Sequence, residues 1–287
     1  EERWTVIIIT FFVAIGSIFY SLSLSNYYKS EALLISSDNK STNFSLSQYS
    51  GLASLAGIEL PGSSGDNTFE MLEIIKSREF VRHLLSFENI LPSLMAPKRY
   101  DLESKKLFFD SEIFDANSKW IGNSFNGKNI PSYLETHKNY LDSLTVLQDK
   151  KTGFIVLKFE HISPIFARDF LELIIEEANK IKRKKDLETS SKALDFLNSE
   201  LAKTPYLEIK KSINQIIETQ LETQMLAKVN EEYVLSVIEP PYEPEIKSKP
   251  KRSIIVIAST IFGGLFGLFF ILLRHFFKRI YHERNKI

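Results

Sequence analysis

Residues 253–273 read SIIVIASTIFGGLFGLFFILL, a stretch without one charged side chain. A helix rises about 1.5 Å per residue, so about 20 apolar residues cross a hydrocarbon core about 30 Å thick. This stretch reaches that length and has no polar face to turn toward water, so a soluble core helix does not compete with a membrane span. Lys251 and Arg252 stand just before it and Arg274 just after, where lipid would give way to head groups. At the other end of the chain, residues 4–24 read WTVIIITFFVAIGSIFYSLSL, again uncharged, with Trp4 and Tyr20 at aromatic-belt positions. A cleavable signal peptide is the alternative for this segment. Its apolar run exceeds the usual h-region of about 7–15 residues, and SLSLSNYY is a poor cleavage site. Two retained spans are expected: 1–24 and 253–273, with 274–287 as a short cytoplasmic tail.

The rest of the composition agrees with a membrane-anchored water-exposed domain. Of 287 residues, 36 are basic and 36 acidic, a balance that gives no reason to expect a nucleic-acid partner. Mean hydropathy is −0.10, too polar for a chain lying wholly in lipid. The absence of cysteine excludes disulfides and Cys-ligated metal, and leaves the compartment unreadable from redox chemistry. Arg274, Lys278, Arg279, Arg284 and Lys286 follow the second span, which favours a cytoplasmic tail. Lys247, Lys249, Lys251 and Arg252 precede it, but long loops translocate largely regardless of charge. Both termini are therefore expected inside, and the sequence opens on Glu1 rather than Met, leaving room for a cytoplasmic piece before it.

Residues 25–252 form the domain between the spans. A strand is expected at Tyr28-Lys29-Ser30-Glu31-Ala32-Leu33-Leu34-Ile35, then a Ser/Asn/Gly-rich stretch over 36–65 containing the apolar piece 52–58. Asn67 and Glu70 have capping-box spacing, and the helix they announce carries Phe69, Leu72, Ile75, Val81, Leu84 and Leu85. The polar, aperiodic stretch 91–140 gives no assignment. A hairpin follows, 143–148 with 154–160. Ser163-Pro164 is a cap and first-turn pair opening a helix over 164–203 that ends before Thr204-Pro205, about 60 Å long. A second helix spans 205–230 with Ile209, Ile213, Ile217, Leu221 and Met225 on one face beside Ile216, and 233–238 is a last strand. Pro240, Pro241, Pro244 and Pro250 then lead into the second span as extended chain.

No catalytic constellation emerges. His83, His137 and His161 lack metal-ligand spacing, no Gly-rich phosphate loop occurs, and neither enzyme activity nor any cofactor is expected. Three features remain. Gly263, Gly264 and Gly267 can let helices approach closely in lipid, although glycine is common in membrane helices. Lys180, Lys182, Arg183, Lys184 and Lys185 form a basic run, either a solvated face or a contact for an anionic glycan or lipid carrier. Leu187, Leu194 and Leu201 recur by heptads with Leu197 beside them, a seam within the chain or between subunits.

With these residues in view, the chain resembles the Wzz-type polysaccharide co-polymerases, the O-antigen chain-length determinants. Tyr28-Lys29-Ser30-Glu31-Ala32 is similar to the family's first strand. Leu72-Glu73-Ile74-Ile75-Lys76-Ser77-Arg78-Glu79-Phe80 matches its leu-x-x-x-x-ser-arg-x-phe segment. Residues 154–178, with Ser163, Pro164 and Ala167, resemble the strand and helix start that follow. Pro240-Pro241-x-x-Pro244 through Pro250 into Gly263, Gly264 and Gly267 resembles the proline-rich approach and glycine-bearing second span. The resemblance implies an α+β membrane protein: two transmembrane helices flank a periplasmic α/β domain with a long protruding helix. It implies a non-enzymatic, multi-pass protein of the bacterial inner membrane, assembled as a ring-like homo-oligomer. Its implied partners are an integral-membrane polysaccharide polymerase, lipid-linked polysaccharide and membrane lipid, and its role is to set modal O-antigen length in lipopolysaccharide. On that implication the glycines help pack the ring. The alternatives are an export scaffold or adaptor and a two-span sensor. The 14 residues after Leu273 carry no output domain, which tells against a sensor, and the chain has no Walker motif, which favours the chain-length branch over capsule export.

The cysteine-free chain allows a direct test of topology. Cysteines introduced at Ser63 and Asn123 should react with an impermeant thiol reagent in spheroplasts, and one at Asn285 should not. Labelling at Asn285 would overturn the arrangement.

Overall fold

The computed structural model describes residues 2–36, 66–115, 119–121, 130–149 and 151–284. In chain order the elements are α1 (Glu2–Ser23), β1 (Tyr27–Ser36), α2 (Asp66–Lys76), α3 (Arg78–Leu84), α4 (Ile90–Met95), β2 (Pro97–Asp101), β3 (Lys106–Phe109) and α5 (Tyr133–Ser143). They continue as β4 (Leu144–Gln148), β5 (Phe154–His161), α6 (Pro164–Lys203), α7 (Leu207–Val229), β6 (Leu235–Glu239), β7 (Lys247–Lys249) and α8 (Arg252–Arg284). They make two compact units: Glu1–Tyr28 with Glu245–Ile287, and Lys29–Pro244. Beyond Ser36, the loop and short helix expected over 36–65 lie outside the described residues.

The larger unit is mixed α/β. Its sheet runs in the order β4-β5-β1-β6. Strand side chains alternate between faces, so Ser30, Ala32 and Leu34 of β1 and Ile155, Leu157 and Phe159 of β5 turn to one buried side. The β4–β5 hairpin is antiparallel, with Leu144 opposite Phe159 and Gln148 opposite Ile155. Gly153, at φ 76°, takes the left-handed turn position there without the clash a Cβ would bring. β6 pairs antiparallel with β1, Ser36 lying opposite Leu235. The first half of α6 packs on this sheet through Ala167, Phe170, Leu171, Ile174 and Ala178, the 3–4 spacing of one helix face. Burying each large apolar side chain contributes roughly 1.5–3 kcal/mol.

α6 is a single helix of 40 residues. Ser163 Oγ accepts the N–H of Phe166, and Pro164 occupies the first turn, where its missing donor costs nothing. The side-chain amide of buried Asn179 donates to the carbonyl of Leu235 at 2.9 Å. Its oxygen accepts the N–H groups of Val234 and Leu235, both at 3.0 Å, tying β6 to the helix. Farther along, Ala193 and Leu197 form a small separate core with Ile216 of α7, and Ile213 and Ile217 lie against it.

The structure differs from the sequence reading in four places. The helix over 66–85 is two helices, because Ser77 stops the first and caps the second by accepting the N–H of Phe80. The buried face of α2 is therefore Thr68, Met71, Leu72 and Ile75, and Phe69 is exposed. Asn67 lies within α2 rather than ahead of it, while Glu70 reaches across to α6. On α7, only the middle of the expected stripe is covered: Ile209, Leu221 and Met225 are exposed, and the polar Thr219 and Gln220 are buried with Ile216. The cause is the partner, since α6 offers α7 a narrow strip of small and apolar side chains. Finally, the unassigned stretch holds α4, the β2–β3 hairpin and α5. The α5 helix opens on a capping box between Ser132 and Glu135. Two α5 side chains also close the end of α2, Tyr140 donating to the carbonyl of Ile75 and His137 meeting that of Lys76.

His161, buried at the end of β5, supplies a pH test. Its Nε2 faces the carbonyl of Ser93 at 2.8 Å and its Nδ1 accepts the N–H of Ser163 at 3.1 Å, so the partners select the neutral Nε2–H tautomer. Burial pushes its pKa down to about 4. Between that value and an unfolded value of about 6.5, the unfolded chain binds more protons, so stability falls as pH falls. This contribution is complete above the window and lost on descending through it, by roughly 3 kcal/mol. Melting of the chain in mild detergent from pH 7 to 4 should show a shallower decline in His161→Gln than in the wild type. Equal slopes would contradict the assignment.

Candidate functional site

The basic run lies on α6 where that helix passes α2. Helical geometry sends its members to different sides. Lys182 points inward, its side chain only 4% exposed, with Nζ 2.9 Å from Glu70 Oε2 and 2.9 Å from Asp186 Oδ1. Lys185 reaches the other oxygen of Glu70 at 2.6 Å. Lys180 reaches Glu177 at 2.8 Å, and Glu177 also meets His83 Nε2 at 2.7 Å. Burial alone would push Lys182 toward its neutral form, but Glu70 and then Asp186 outweigh it and hold its pKa above the ordinary lysine value. Burial likewise pushes Glu70 up, and hydrogen bonds from Lys185 and Lys182 reverse this and hold it low. A buried charge so paired is costly to break, because removing either partner strands the other.

Three of the five cations picked from the sequence are thus spent on carboxylates within the larger unit. Lys184 is exposed and Arg183 half-buried, and neither makes an ion pair among the described residues. The Lys182–Asp186 pair, four residues apart on a helix, was readable from the sequence. Glu70 was not, since nothing in the sequence couples positions 112 residues apart. Of the leucines picked out by spacing, Leu197 is buried beside Ala193 against α7, while the heptad members Leu187, Leu194 and Leu201 are half-buried and lie outside that small core.

The histidines do not converge. His83 serves the Glu177 pair, His137 faces the end of α2, and His161 holds Ser93 and Ser163. Among the described residues no group of three or more His, Cys, Asp or Glu is arranged to hold a metal ion.

Chain leaving β6 stays non-helical through Pro240, Pro241 and Pro244. The carbonyl of Tyr242 accepts a 2.7 Å hydrogen bond from Ser30 Oγ, and Glu243 lies 3.7 Å from Lys105 and 3.9 Å from Arg168.

The smaller unit is built on α1 packed against α8. A Cβ placed on Gly263 would come within 2.9 Å of the Cβ and Cγ1 of Val13, and one on Gly264 would lie 3.8 Å from Thr10 Oγ1. Gly267 is buried as well. Glycine here allows one helix of the chain to approach the other, as small residues do in lipid. Arg252 Nη2 donates to Asn26 Oδ1 at 3.1 Å and lies 3.5 Å from the carbonyl of Leu24, so a cation sits at the C-terminal end of α1, where the helix dipole favours it. Pro250 separates this arginine from the short β7, which pairs with Tyr27 and Tyr28. The remaining faces are apolar and exposed, with Phe11, Phe12 and Phe19 on α1 and Phe262, Phe266 and Phe269 on α8. Among the described residues one helix stretch, Arg252–Phe269, is long and apolar enough to cross a membrane; the apolar stretch of α1, Thr10–Ser23, is shorter. Two spans were expected, and by this measure one is found.

No family model matches the chain, and no curated protein does. Among solved structures it is similar to one described as a full-length bacterial polysaccharide co-polymerase. That match covers 96% of this chain and 95% of the other, at 11% identity and a TM-score of 0.41. It is also similar to a fragment of WzzB, a polysaccharide co-polymerase from Salmonella Typhimurium, over 78% of this chain and 100% of that one, at 14% identity and a TM-score of 0.29. Neither likeness by itself says what this chain does.

The glycine contact can be tested by a double-mutant cycle. Gly263→Ala should lower the melting midpoint in mild detergent, by an overpacking cost of about 1–3 kcal/mol. Adding Val13→Ala should recover part of that loss. Strictly additive losses would mean that Gly263 does not serve the Val13 contact.

Proposed function

We propose that this chain is a Wzz-type polysaccharide co-polymerase: a non-enzymatic regulator that sets modal O-antigen length in lipopolysaccharide biosynthesis. In this reading α1 and α8 both cross the bacterial inner membrane and Lys29–Pro244 stands in the periplasm. Copies assemble into a ring, and the ring works beside an integral-membrane glycan polymerase and its lipid-linked product.

One observation carries the reading. α6 is a 40-residue helix tied to a mixed core by its first half and to α7 beyond it. From Lys182 to Lys203 this makes an arm of about 30 Å. A regulator that makes and breaks no bond must act by geometry and contact, and a stiff arm on a membrane anchor offers both. The motifs at 28–32, 72–80 and 240–267 support the same family. Arg183 and Lys184 are the residues on this arm proposed to meet an anionic glycan or carrier. Each exposed charge alone is worth about 0–1 kcal/mol in salt, but a symmetric ring repeats the pair and multiplies a weak attraction.

The experiment is the banding of surface lipopolysaccharide. Deleting the gene should abolish the preferred length, and the wild-type copy should restore it; an unchanged ladder in the deletion strain would overturn the proposal. Arg183→Gln with Lys184→Gln should shift the modal band without reducing expression. An unchanged band would return those two side chains to a solvated helix face.

A further inference from the structure

The basic residues between Glu245 and Ser253 are arranged unlike the run on α6. Lys247 and Lys249 flank Ser248 on β7 and are both exposed, while Ser248 is half-buried and its Oγ donates to the carbonyl of Tyr27 at 3.2 Å. Pairing of Tyr27 with Lys249 and of Tyr28 with Lys247 fixes this short strand. Lys251 follows, exposed, and Arg252 begins α8 with its guanidinium held by Asn26. One acid, Glu245, stands against these four cations. Lys247 and Lys251 make no ion pair among the described residues, in contrast to Lys180, Lys182 and Lys185. The N-terminal end of α8 adds its own partial positive charge. Beside these cations lie exposed apolar groups: Ile246 at 82%, Ile254 at 56% and Tyr27 at 42%.

We infer that Lys247, Lys249 and Lys251, with Tyr27 and Ile246, form a fixed site for the phosphate head groups of anionic phospholipids where α8 enters the bilayer. The lysines supply charge at the level of the phosphates. Ile246 and Tyr27 gain by entering the boundary between head groups and acyl chains, a gain that a phosphate dissolved in water cannot give them. Because β7 is tied to β1 on both sides of a bulge, the charges are presented on paired chain rather than on a loose tail, and less ordering is lost on binding. The inference rests on α8 meeting a membrane and not on the glycan reading, so the two fail separately.

The test uses the full chain in mild detergent, titrated with dioleoylphosphatidylglycerol or dioleoylphosphatidylcholine, with bound lipid counted by native mass spectrometry. The wild type should prefer the anionic lipid at least tenfold. Lys247→Gln, Lys249→Gln and Lys251→Gln together should lose that preference, weakening anionic-lipid binding by about a hundredfold for three charges at an anionic surface. The corresponding triple arginine variant should keep it. So should Lys192→Gln, Lys211→Gln and Lys228→Gln, which removes equal charge from exposed positions elsewhere. Equal binding of the two lipids by the wild type, or a preference surviving in the first variant, would overturn the site. Displacement of the bound lipid by millimolar inorganic pyrophosphate would overturn the assignment to phospholipid and make it a site for soluble phosphate anions.

Discussion

A helix of 40 residues cannot bury its own apolar side chains, and the larger unit is organised around covering α6. The sheet takes the first half, where Phe170, Leu171 and Ile174 meet Phe159 and Leu157. α7 takes the distal half through Ala193 and Leu197. Between the two lies a stretch too polar for either partner, and there the ammonium of Lys182 sits between Glu70 and Asp186. That ion cluster is poor evidence of stability, since a buried pair offsets little more than its own desolvation. It does specify geometry: the start of α2 is held against one turn of α6, because any slip strands a buried charge.

The smaller unit solves a different problem with different chemistry. α1 and α8 come together by close packing of their backbones, which Gly263 permits against Val13. This contact lies within one chain. The sequence reading had these glycines packing transmembrane helices and helping to hold a ring; within one chain the structure gives Gly263 a partner in Val13. Arg252 closes the same pair at its end by holding Asn26.

Much of the larger unit was legible because its punctuation is local. Ser163-Pro164 and Thr204-Pro205 bracket α6, and alternation in β1 and β5 gives both strands and their buried faces. Ser132 and Glu135 carried a capping signal of the same kind, S-x-x-E, in a stretch otherwise too polar to assign. Ser77 misled, since a serine inside a periodic stretch reads as a tolerated polar residue until its hydroxyl caps a new helix. The basic run was legible as charge and illegible as a site. Whether a lysine faces solvent or a carboxylate 112 residues away is decided by tertiary packing, as Lys182 and Glu70 illustrate. The fate of the α7 stripe was likewise set by its partner, because periodicity gives an apolar face but not how much of it a neighbour covers.

If the arm formed by α6 and α7 sets glycan length by its geometry, its length should matter more than any one of its side chains. The direct measurement removes one heptad from the distal end of each helix, about 10 Å of arm, leaving the packing at Phe170 and Ile174 and the Lys182 cluster in place. A shortened chain that reaches the membrane at wild-type level and melts normally should change the modal length of surface lipopolysaccharide. The same chain, folded and present, yielding a wild-type ladder would contradict the account.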